Sequence, residues 1–157
     1  MEIRVYQESD ISQLISLFYA TVHSVNKRHY SQEQLDAWAP NEERAHKLKT
    51  WSASLGHNIT YVAEINECIV GFSDMTVEGH LDRLYVHKDY QSQGIASALL
   101  HKLEQKAREL GLHEMDTEAS ITAKPFFERH GYQLMMKQSV ERRGVLLVNY
   151  RMSKKLM

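Results

Sequence analysis

Small and neutral polar side chains fill residues 91–97, QSQGIAS, directly after an apolar segment typical of a β-strand. Gly94 and Ala96 leave the backbone open to close approach, and Gln91 and Gln93 supply amide donors. The apolar spacing that follows is typical of a helix, and the first N–H groups of a helix can bind phosphate oxygens. Two interpretations therefore stay open for this stretch, an anion site and a plain strand-to-helix turn.

Other anion-binding and metal-binding patterns are absent from the sequence. It has neither the Gly-Lys-Ser/Thr of a Walker-type loop nor the Gly-x-Gly-x-x-Gly of a dinucleotide-binding fold. Its nine histidines include no His-x-x-x-His pair and there is no cysteine cluster, so we expect no metal site. The single cysteine, Cys68, is better interpreted as an ordinary core or edge residue than as an acyl-carrying nucleophile.

The elements around residues 91–97 follow from hydrophobic periodicity and turn residues. Their order is strand, helices, three strands, helix, strand, helix and two strands. Residues 59–87 predict a three-stranded antiparallel meander, and the helical crossovers predict some parallel pairing. The fold class is therefore α+β, with a mixed, mostly antiparallel sheet of about seven strands flanked by helices.

Two helix boundaries are predicted from single residues. Asp10, with Gln13 three residues on, predicts a helix that begins near residue 11 and is capped by the Asp10 side chain. Gly56 predicts the end of a helix that occupies about residues 42–55.

The composition is that of an ordinary globular chain. Its 157 residues are 43% hydrophobic and 25% charged, which predicts one domain over residues 1–157. The formal net charge of −1 argues against a dedicated nucleic-acid binder. No apolar run approaches the ~20 residues of a membrane span, and the first residues do not resemble a signal peptide. With a single cysteine, these features predict a cytoplasmic protein with neither a membrane nor a nucleic-acid partner.

Two motifs resemble those of the GNAT superfamily of N-acetyltransferases. Gln91, Gly94 and Ala96 match the fixed positions of its acyl-CoA loop, Arg/Gln-x-x-Gly-x-Gly/Ala. Residues 120–132, SITAKPFFERHGY, are similar to a second motif, Asn-x-x-Ala-x-x-Phe-Tyr-Glu-x-x-Gly-Phe, at the expected place after one helix and one strand. The element order agrees over nearly the whole chain. The resemblance favours the anion site and implies a GNAT-like fold.

The resemblance also implies acetyl-CoA as co-substrate and assigns residues to it. The pantetheine is expected along the strand before the loop, and the pyrophosphate at the N–H groups of the loop and helix start. The second motif is expected to line the other side of the cofactor. The corresponding residues are Leu84, Tyr85, Val86, Gln91, Ser92, Gln93, Gly94, Ile95, Ala96, Ser97, Ser120, Ala123 and Phe126.

Acetyl transfer to an amine needs a base, because an amine with a pKa near ~10.4 is mostly protonated at neutral pH. Some family members carry a glutamate base eleven residues before the first position of the loop, where this chain has His80. Asp82 shares a face with it if the strand is regular, although the family's strand is often bulged here. His80 and Asp82 are the predicted catalytic residues. The alternatives are a solvated His80 and an Asp82 paired with Arg83.

The second motif departs from the family at Phe127, where many relatives have a tyrosine that hydrogen-bonds the CoA sulfur. Phe127 has no proton to give, and Tyr132 is expected to begin a core strand. Either another group protonates the thiolate, or none is needed, since a thiolate with a pKa near ~8.5 can leave without help. The departure supports a second hypothesis, a non-catalytic acyl-CoA-binding sensor or partner module.

In the family, the first helices and the last hairpin wall the acceptor site. Tyr30 and Trp38 are therefore the predicted substrate residues, since an aromatic lining suits a small amine. The alternative for Trp38, which precedes Ala39-Pro40, is a hydrophobic plug. The Arg142-Arg143 turn is expected to solvate the hairpin tip, or else to meet an acidic group.

The function predicted from these residues is direct transfer of an acetyl group from acetyl-CoA to a primary amine of a small acceptor in a ternary complex. O-acylation, or a longer acyl donor, is a third hypothesis on the same scaffold. Family members often dimerise, so a homodimer is one assembly that the resemblance allows.

Overall fold

The structure, a computed structural model, describes residues 1–156. Seven strands form one mixed sheet in the order β1-β2-β3-β4-β5-β7-β6, which confirms the predicted α+β class. The strands are β1 (Glu2–Val5), β2 (Ile59–Ile65), β3 (Cys68–Met75), β4 (His80–Val86), β5 (Glu114–Ser120), β6 (Gln133–Arg142) and β7 (Val145–Lys155). The helices are α1 (Ile11–Ser24), α2 (Gln32–Trp38), α3 (Arg44–His57), α4 (Ile95–Glu109) and α5 (Lys124–Arg129).

The predicted strand pairings are present. β2, β3 and β4 form the antiparallel meander, and β6 and β7 form the final hairpin. The turn between β2 and β3 has positive φ at Asn66 and Glu67, which matches the right-handed twist of a two-residue hairpin. The crossover through α4 makes β5 parallel to β4.

Each face of the sheet has its own core. On one face, α4 buries the apolar stripe that its sequence predicts, including Ile95, Leu99 and Leu103. Gly71 on β3 lets this helix approach the sheet, because a Cβ at that position would lie 3.0 Å from Ile95 Cγ2 and 3.2 Å from Leu99 Cδ1. On the other face, α1, α2 and α3 bury a second cluster. The start of α4 is thereby fixed close to the end of β4.

The central feature of the sheet is the divergence of β4 from β5. These parallel strands pair only at their beginnings, His80 with Asp116 and Leu81 with Thr117. β4 also bulges on its other edge, where Asp74 of β3 pairs with Arg83 but the next residue of β3 pairs with Leu81. The extra residue, Asp82, changes the direction of β4 at the point where β4 separates from β5. The result is a wedge-shaped gap in the middle of the sheet.

A buried ion pair fastens the bulge. The Asp74 carboxylate is fully buried and binds the guanidinium of Arg83, its cross-strand partner. Asn58 Nδ2 donates to Asp74 Oδ2 at 2.9 Å, and Arg83 lies over the Trp51 ring at 4.5 Å. Burial raises the pKa of Asp74 to about 6, against the opposing effect of Arg83. Because a lone charge here would be costly, each partner depends on the other.

Of the two helix boundaries predicted from single residues, the start of α1 at Ile11 is confirmed, whereas the Asp10 cap and the helix end at Gly56 are wrong. Asp10 does precede α1, but its side chain makes no cap hydrogen bond. It is held instead by two bonds of 2.9 Å from Arg4 and one of 2.8 Å from the backbone N–H of Gln7. Gly56 lies inside α3, which continues to His57, because the helical hydrogen bond from Asn58 N–H to Ser54 O extends past the glycine.

The helices of residues 1–156 are all too short or too polar to cross a membrane.

The Asp74–Arg83 pair gives a pH-dependent prediction. The folded-state pKa of Asp74 lies above the ordinary 3.8, so this group's contribution to stability falls as pH rises from about 4 to about 6. Replacing Arg83→Met raises that pKa further, because the opposing charge is lost. We expect a loss of about 3–5 kcal/mol at pH 8 and a much smaller loss at pH 5, where the carboxyl is protonated.

Urea unfolding at the two pH values measures this difference, and the double variant Arg83→Met/Asp74→Asn is the control. The double variant should recover most of the loss at pH 8. An equal loss at both pH values would contradict a buried, ionised Asp74.

Candidate active site

Two cavities open at the gap between β4 and β5. The larger has a volume of about 520 Å³ and is bounded by β4, the start of α4, β5 and α5. The smaller, of about 190 Å³, lies between β4, β5, α2 and the β6–β7 hairpin. Residues from β4, β5 and α2 line both cavities, so the two volumes meet at a common wall. These residues are Trp38, Leu81, Asp82, Tyr85, Glu118 and Ser120.

The loop at the start of α4 presents free backbone donors to the larger cavity. Gly94, at φ +80°, immediately precedes the helix, and no side chain caps it. The N–H groups of Ile95, Ala96 and Ser97 therefore lack the partners that interior helical residues have. The macrodipole adds partial positive charge at this end. These features suit an anion with several oxygens.

Two glutamines of the loop differ in their roles. Gln91 Nε2 donates to the carbonyl of Val86 at 2.6 Å and is 3.4 Å from that of His87. The Gln91 amide therefore ties the loop to the end of β4 and is not a free donor. Gln93 is exposed and lies outside the lining of the larger cavity. The other predicted cofactor residues line it: Leu84, Tyr85, Val86, Gln91, Ser92, Gly94, Ile95, Ala96, Ser97, Ser120, Ala123 and Phe126.

His130 joins the two helices that flank the larger cavity. Its Nδ1 lies 2.9 Å from the Phe126 carbonyl, which can only accept, so the proton of a neutral ring is on Nδ1. Nε2 is then the acceptor for the Ser97 hydroxyl at 3.0 Å. The imidazole also stacks on the Phe126 ring at 4.4 Å. Thus α5 is fixed against the first turn of α4.

The site has no proton donor at the tyrosine position of the second motif. Phe127 is 2% exposed and packs edge-on against Tyr132 at 5.2 Å. Tyr132 is also buried, and its hydroxyl donates to Glu104 at 2.8 Å. Burial raises the pKa of Tyr132, and the charge of Glu104 raises it further. This phenol belongs to the core and not to the cavity.

The smaller cavity contains both predicted substrate residues, Tyr30 and Trp38. Their rings pack edge-on at 5.3 Å. The Tyr30 hydroxyl donates to Val148 O at 2.6 Å and accepts from the Ile121 N–H at 2.9 Å. Tyr30 is thus a clamp between the segment after α1, the segment after β5, and β7, whereas Trp38 is a wall of both cavities.

His80 and Asp82, the predicted catalytic residues, both line the smaller cavity. His80 Nδ1 lies 2.8 Å from Asp116 Oδ1 on β5, a consequence of the parallel pairing of these two residues. Because an ionised carboxylate only accepts, the Nδ1 proton points to Asp116 and the lone pair is on Nε2. Asp82 is half-exposed and 3.7 Å from Arg83, which is itself bound to Asp74.

Tyr85 is a proton-bearing side chain on the common wall. Its ring packs edge-on against Phe18 at 5.0 Å, in the core of the α1 face. Burial raises the pKa of Tyr85, and a hydrogen bond from Trp38 opposes that shift only in part. The phenol therefore keeps its proton at neutral pH.

Comparisons with known proteins agree with this geometry. Residues 26–154 match the family model described as an acetyltransferase (GNAT) domain. The chain is 40% identical over 152 residues to the N-acetyltransferase YafP of Escherichia coli K12. The alignment covers 97% of this chain and 94% of YafP. The chain belongs to the GNAT family of acetyltransferases. The resemblance inferred from residues 91–97 and 120–132 is thereby confirmed, as is the prediction of an acyl-CoA acyltransferase.

Solved structures share the fold across nearly the whole chain. A GCN5-related N-acetyltransferase of Rhodopseudomonas palustris superposes with a TM-score of 0.93 at 30% identity, covering 99% of this chain and 95% of its own. The PaiA N-acetyltransferase of Thermoplasma acidophilum, solved with coenzyme A, has a TM-score of 0.74 at 18% identity, with 99% of both chains covered. YncA of Salmonella typhimurium, solved with acetyl-CoA, has a TM-score of 0.71 at 18% identity, covering 100% of this chain and 94% of its own.

Three site residues escaped sequence analysis. Asp116 meets His80 only through the parallel register of two strands separated by α4. Glu118 faces both cavities from the same strand, with Gln138 Nε2 donating to it at 2.9 Å. Arg129 adds a positive charge to the larger cavity. The alternation of Asp116, Glu118 and Ser120 along β5 was the available signal, since every second residue of a strand shares a face.

The two hydrogen bonds of the Tyr30 hydroxyl predict that its loss lowers the stability of the fold. Tyr30→Phe leaves the Val148 carbonyl and the Ile121 N–H without their partner. We expect a loss of about 2 kcal/mol in the free energy of unfolding, because unpaired buried polar groups are costly. Urea unfolding measures it, with Tyr90→Phe as a control that should change stability little, because the hydroxyl of the half-buried Tyr90 makes no hydrogen bond among residues 1–156. A Tyr30→Phe variant as stable as the wild type would contradict the clamp.

Proposed function

We propose that this acetyltransferase transfers the acetyl group of acetyl-CoA directly to a primary amine of a small acceptor, within a ternary complex. The observation that carries the proposal is the common wall of the two cavities at the β4–β5 gap. A donor in the larger cavity and an acceptor in the smaller one would meet there. The acceptor is small because the smaller cavity has a volume of only about 190 Å³.

Several features support acetyl-CoA in the larger cavity. Beyond Leu81, β4 makes no strand pair with β5 among residues 1–156, so its edge is open to an extended ligand that adds as a strand. The pantetheine of acetyl-CoA has amide groups suited to that edge. The free N–H groups at the start of α4 would then take the pyrophosphate.

Direct transfer is favoured over a covalent acetyl-enzyme. Cys68, the single cysteine of the sequence, is exposed at the start of β3 and lines neither cavity. With both cavities open to the same wall, the acceptor amine can attack the thioester once it is neutral.

His80 is our proposed base, with Asp116 as its positioning residue. The Asp116 contact holds the proton on Nδ1 and leaves Nε2 free to take a proton from the ammonium, directly or through water. Asp82 beside it would attract the positively charged acceptor. Tyr85, which keeps its proton and lies on the common wall, is the group we assign to the departing thiolate.

A second candidate function is a non-catalytic acyl-CoA-binding module. The replacement of the family's tyrosine by Phe127, buried and without a proton, is the observation that favours it. Such a module would bind acetyl-CoA but release no thiol with any amine.

Acetyl-CoA should stabilise the protein against heat. At ~100 times its dissociation constant, a ligand of the folded state adds about 2.7 kcal/mol, which corresponds to roughly 5–10 °C in Tm for a chain of this size. Ser92→Asp should reduce the shift, because its charge opposes the pyrophosphate at a loop residue with φ 60° that aspartate tolerates. Differential scanning fluorimetry measures both.

The matched control is Ser12→Asp, which adds the same charge on the exposed side of α1. ATP serves as the unrelated nucleotide. If saturating acetyl-CoA leaves Tm unchanged, both candidate functions are wrong.

The proposed base gives a kinetic prediction. His80→Ala should lower kcat by about a hundredfold, within the range of general-base contributions. Asp116→Asn should lower kcat nearly as much. The asparagine amide can donate a hydrogen bond to Nδ1 of His80, which favours the tautomer whose proton is on Nε2 and so removes the base. Tyr85→Phe should have a smaller effect, since a thiolate can leave without an acid. Free-thiol release over a panel of amines, from pH 6 to 9, measures all three.

Glu114→Gln, on the same strand as Asp116 but exposed, is the control and should retain wild-type kcat. Wild-type kcat in both His80→Ala and Asp116→Asn would exclude His80 as the base. Absence of thiol release in the wild type, together with a Tm shift, would favour the binding module.

A further inference from the structure

The smaller cavity has two charged poles. Asp82 and Glu118 are at the end that it shares with the larger cavity. Arg142, near the tip of the β6–β7 hairpin, is at the other end of its lining. Arg142 lies four positions along β6 from Gln138, the residue level with Asn149 that binds Glu118, and four positions span about 13 Å at roughly 3.3 Å per residue. The acidic pole suits the acceptor amine, so the basic pole calls for a separate explanation.

Arg142 is available for a ligand. Among the ion pairs of residues 1–156, none involves this guanidinium, and its only hydrogen bond is to the carbonyl of Glu141 at 3.2 Å. Its neighbour Arg143, in contrast, binds Glu42 at 2.6 Å and Glu43 at 3.4 Å. The two arginines therefore differ: one fastens the hairpin to the turn before α3, and the other is left to the cavity.

The hairpin that carries Arg142 is held at several points. Besides the Arg143 pairs, Gln34 Nε2 donates to Leu146 O at 3.0 Å, and Tyr30 binds Val148 O at 2.6 Å. The backbone around Arg142 is therefore fixed relative to α2 and to the segment that carries Tyr30. A guanidinium on a fixed backbone can give directional recognition of paired oxygens.

A second cation, Lys47, lies near Arg142 but outside the lining of the smaller cavity. Lys47 of α3 lies 5.4 Å from the Phe18 ring and 5.6 Å from the Trp51 ring, and has no ion-pair partner in the described part of the chain. Burial lowers its pKa, and the positive charges of Arg83 and Arg142 lower it further against the effect of Glu43. Arg142 and Lys47 are therefore close enough for their positive charges to interact.

We propose that the acceptor carries an anionic oxygen group, a carboxylate or a phosphate, in addition to its primary amine, and that Arg142 binds this group. The inference rests on the proposed amine acetylation and names the class of acceptor for the same cavity. The amine lies at the Asp82 and Glu118 pole beside His80, and the anionic group lies at the hairpin pole. Arg142 is then a specificity residue and takes no part in proton transfer.

Three amines of equal carbon-chain length test the class. They are butylamine, 4-aminobutanoate and 1,4-diaminobutane, with 3-aminopropylphosphonate added to distinguish a carboxylate from a phosphate-like group. We expect wild-type kcat/KM for the anionic amines to exceed that for butylamine by about tenfold or more, since a charged hydrogen bond contributes that much. Arg142→Gln should remove this preference through KM and leave butylamine unchanged.

Arg142→Lys should keep part of the preference, and Arg142→Glu should shift it toward the diamine. Arg108→Gln, which removes an exposed arginine from α4 on the opposite face of the sheet, is the matched control and should behave as the wild type. Equal kcat/KM for anionic and neutral amines in the wild type would overturn the proposal. The proposal would also be overturned if Arg142→Gln lowered kcat/KM equally for every amine, or if it lowered kcat/KM for none of them.

A binding measurement separates this inference from the proposed function. Calorimetric titration of 4-aminobutanoate into the protein with bound CoA should give binding that Arg142→Gln weakens by about tenfold or more. If Arg142→Gln weakens this binding but no amine releases thiol, the proposed catalysis is wrong and the proposed class of ligand is supported. If thiol is released but Arg142→Gln binds the anionic amine as the wild type does, amine acetylation stands and the role of Arg142 is wrong.

Discussion

The divergence of β4 from β5 after Leu81 is the constraint on which the rest of the site depends. Two parallel pairs hold the strands together, and the bulge at Asp82 then turns β4 away. A continuous ladder at this point would fill the space that both cavities occupy. The Asp74–Arg83 pair fixes the bulge from the α3 side, and the packing of α4 near Gly71 fixes the end of β4 from the other. The gap that forms the site is therefore held open by the packing of the core.

Polar groups around the gap fall into two sets. One set is committed to structure: the amide of Gln91, the hydroxyls of Tyr30 and Tyr132, and the imidazole of His130. The other set faces the cavities, and consists mainly of backbone N–H groups at the start of α4 and of charged side chains on β4, β5 and β6. The hydrogen bonds of the first set fix the elements that carry the second set.

The fold and the loop that leads into α4 could be predicted from the sequence because their signals are local. The loop at 91–97 is contiguous, and its match to a strand, a turn and a helix needs no tertiary information. The pairing of His80 with Asp116 could not be predicted, since it depends on the register of two strands with a helix between them. Gly56 failed as a helix end because a favourable hydrogen bond outweighs the modest cost of glycine inside a helix.

Tyr30 and Gln34 contact β7 from a stretch more than a hundred positions earlier in the chain, whereas the donor loop is built from consecutive residues. The two halves of the site therefore differ in how freely they can diverge. Substitutions in the hairpin or around α2 can reshape the acceptor side without disturbing the donor loop. A lineage of such proteins can thus retain one acyl donor while it exchanges acceptors, with the clamp at Tyr30 keeping each new lining in place.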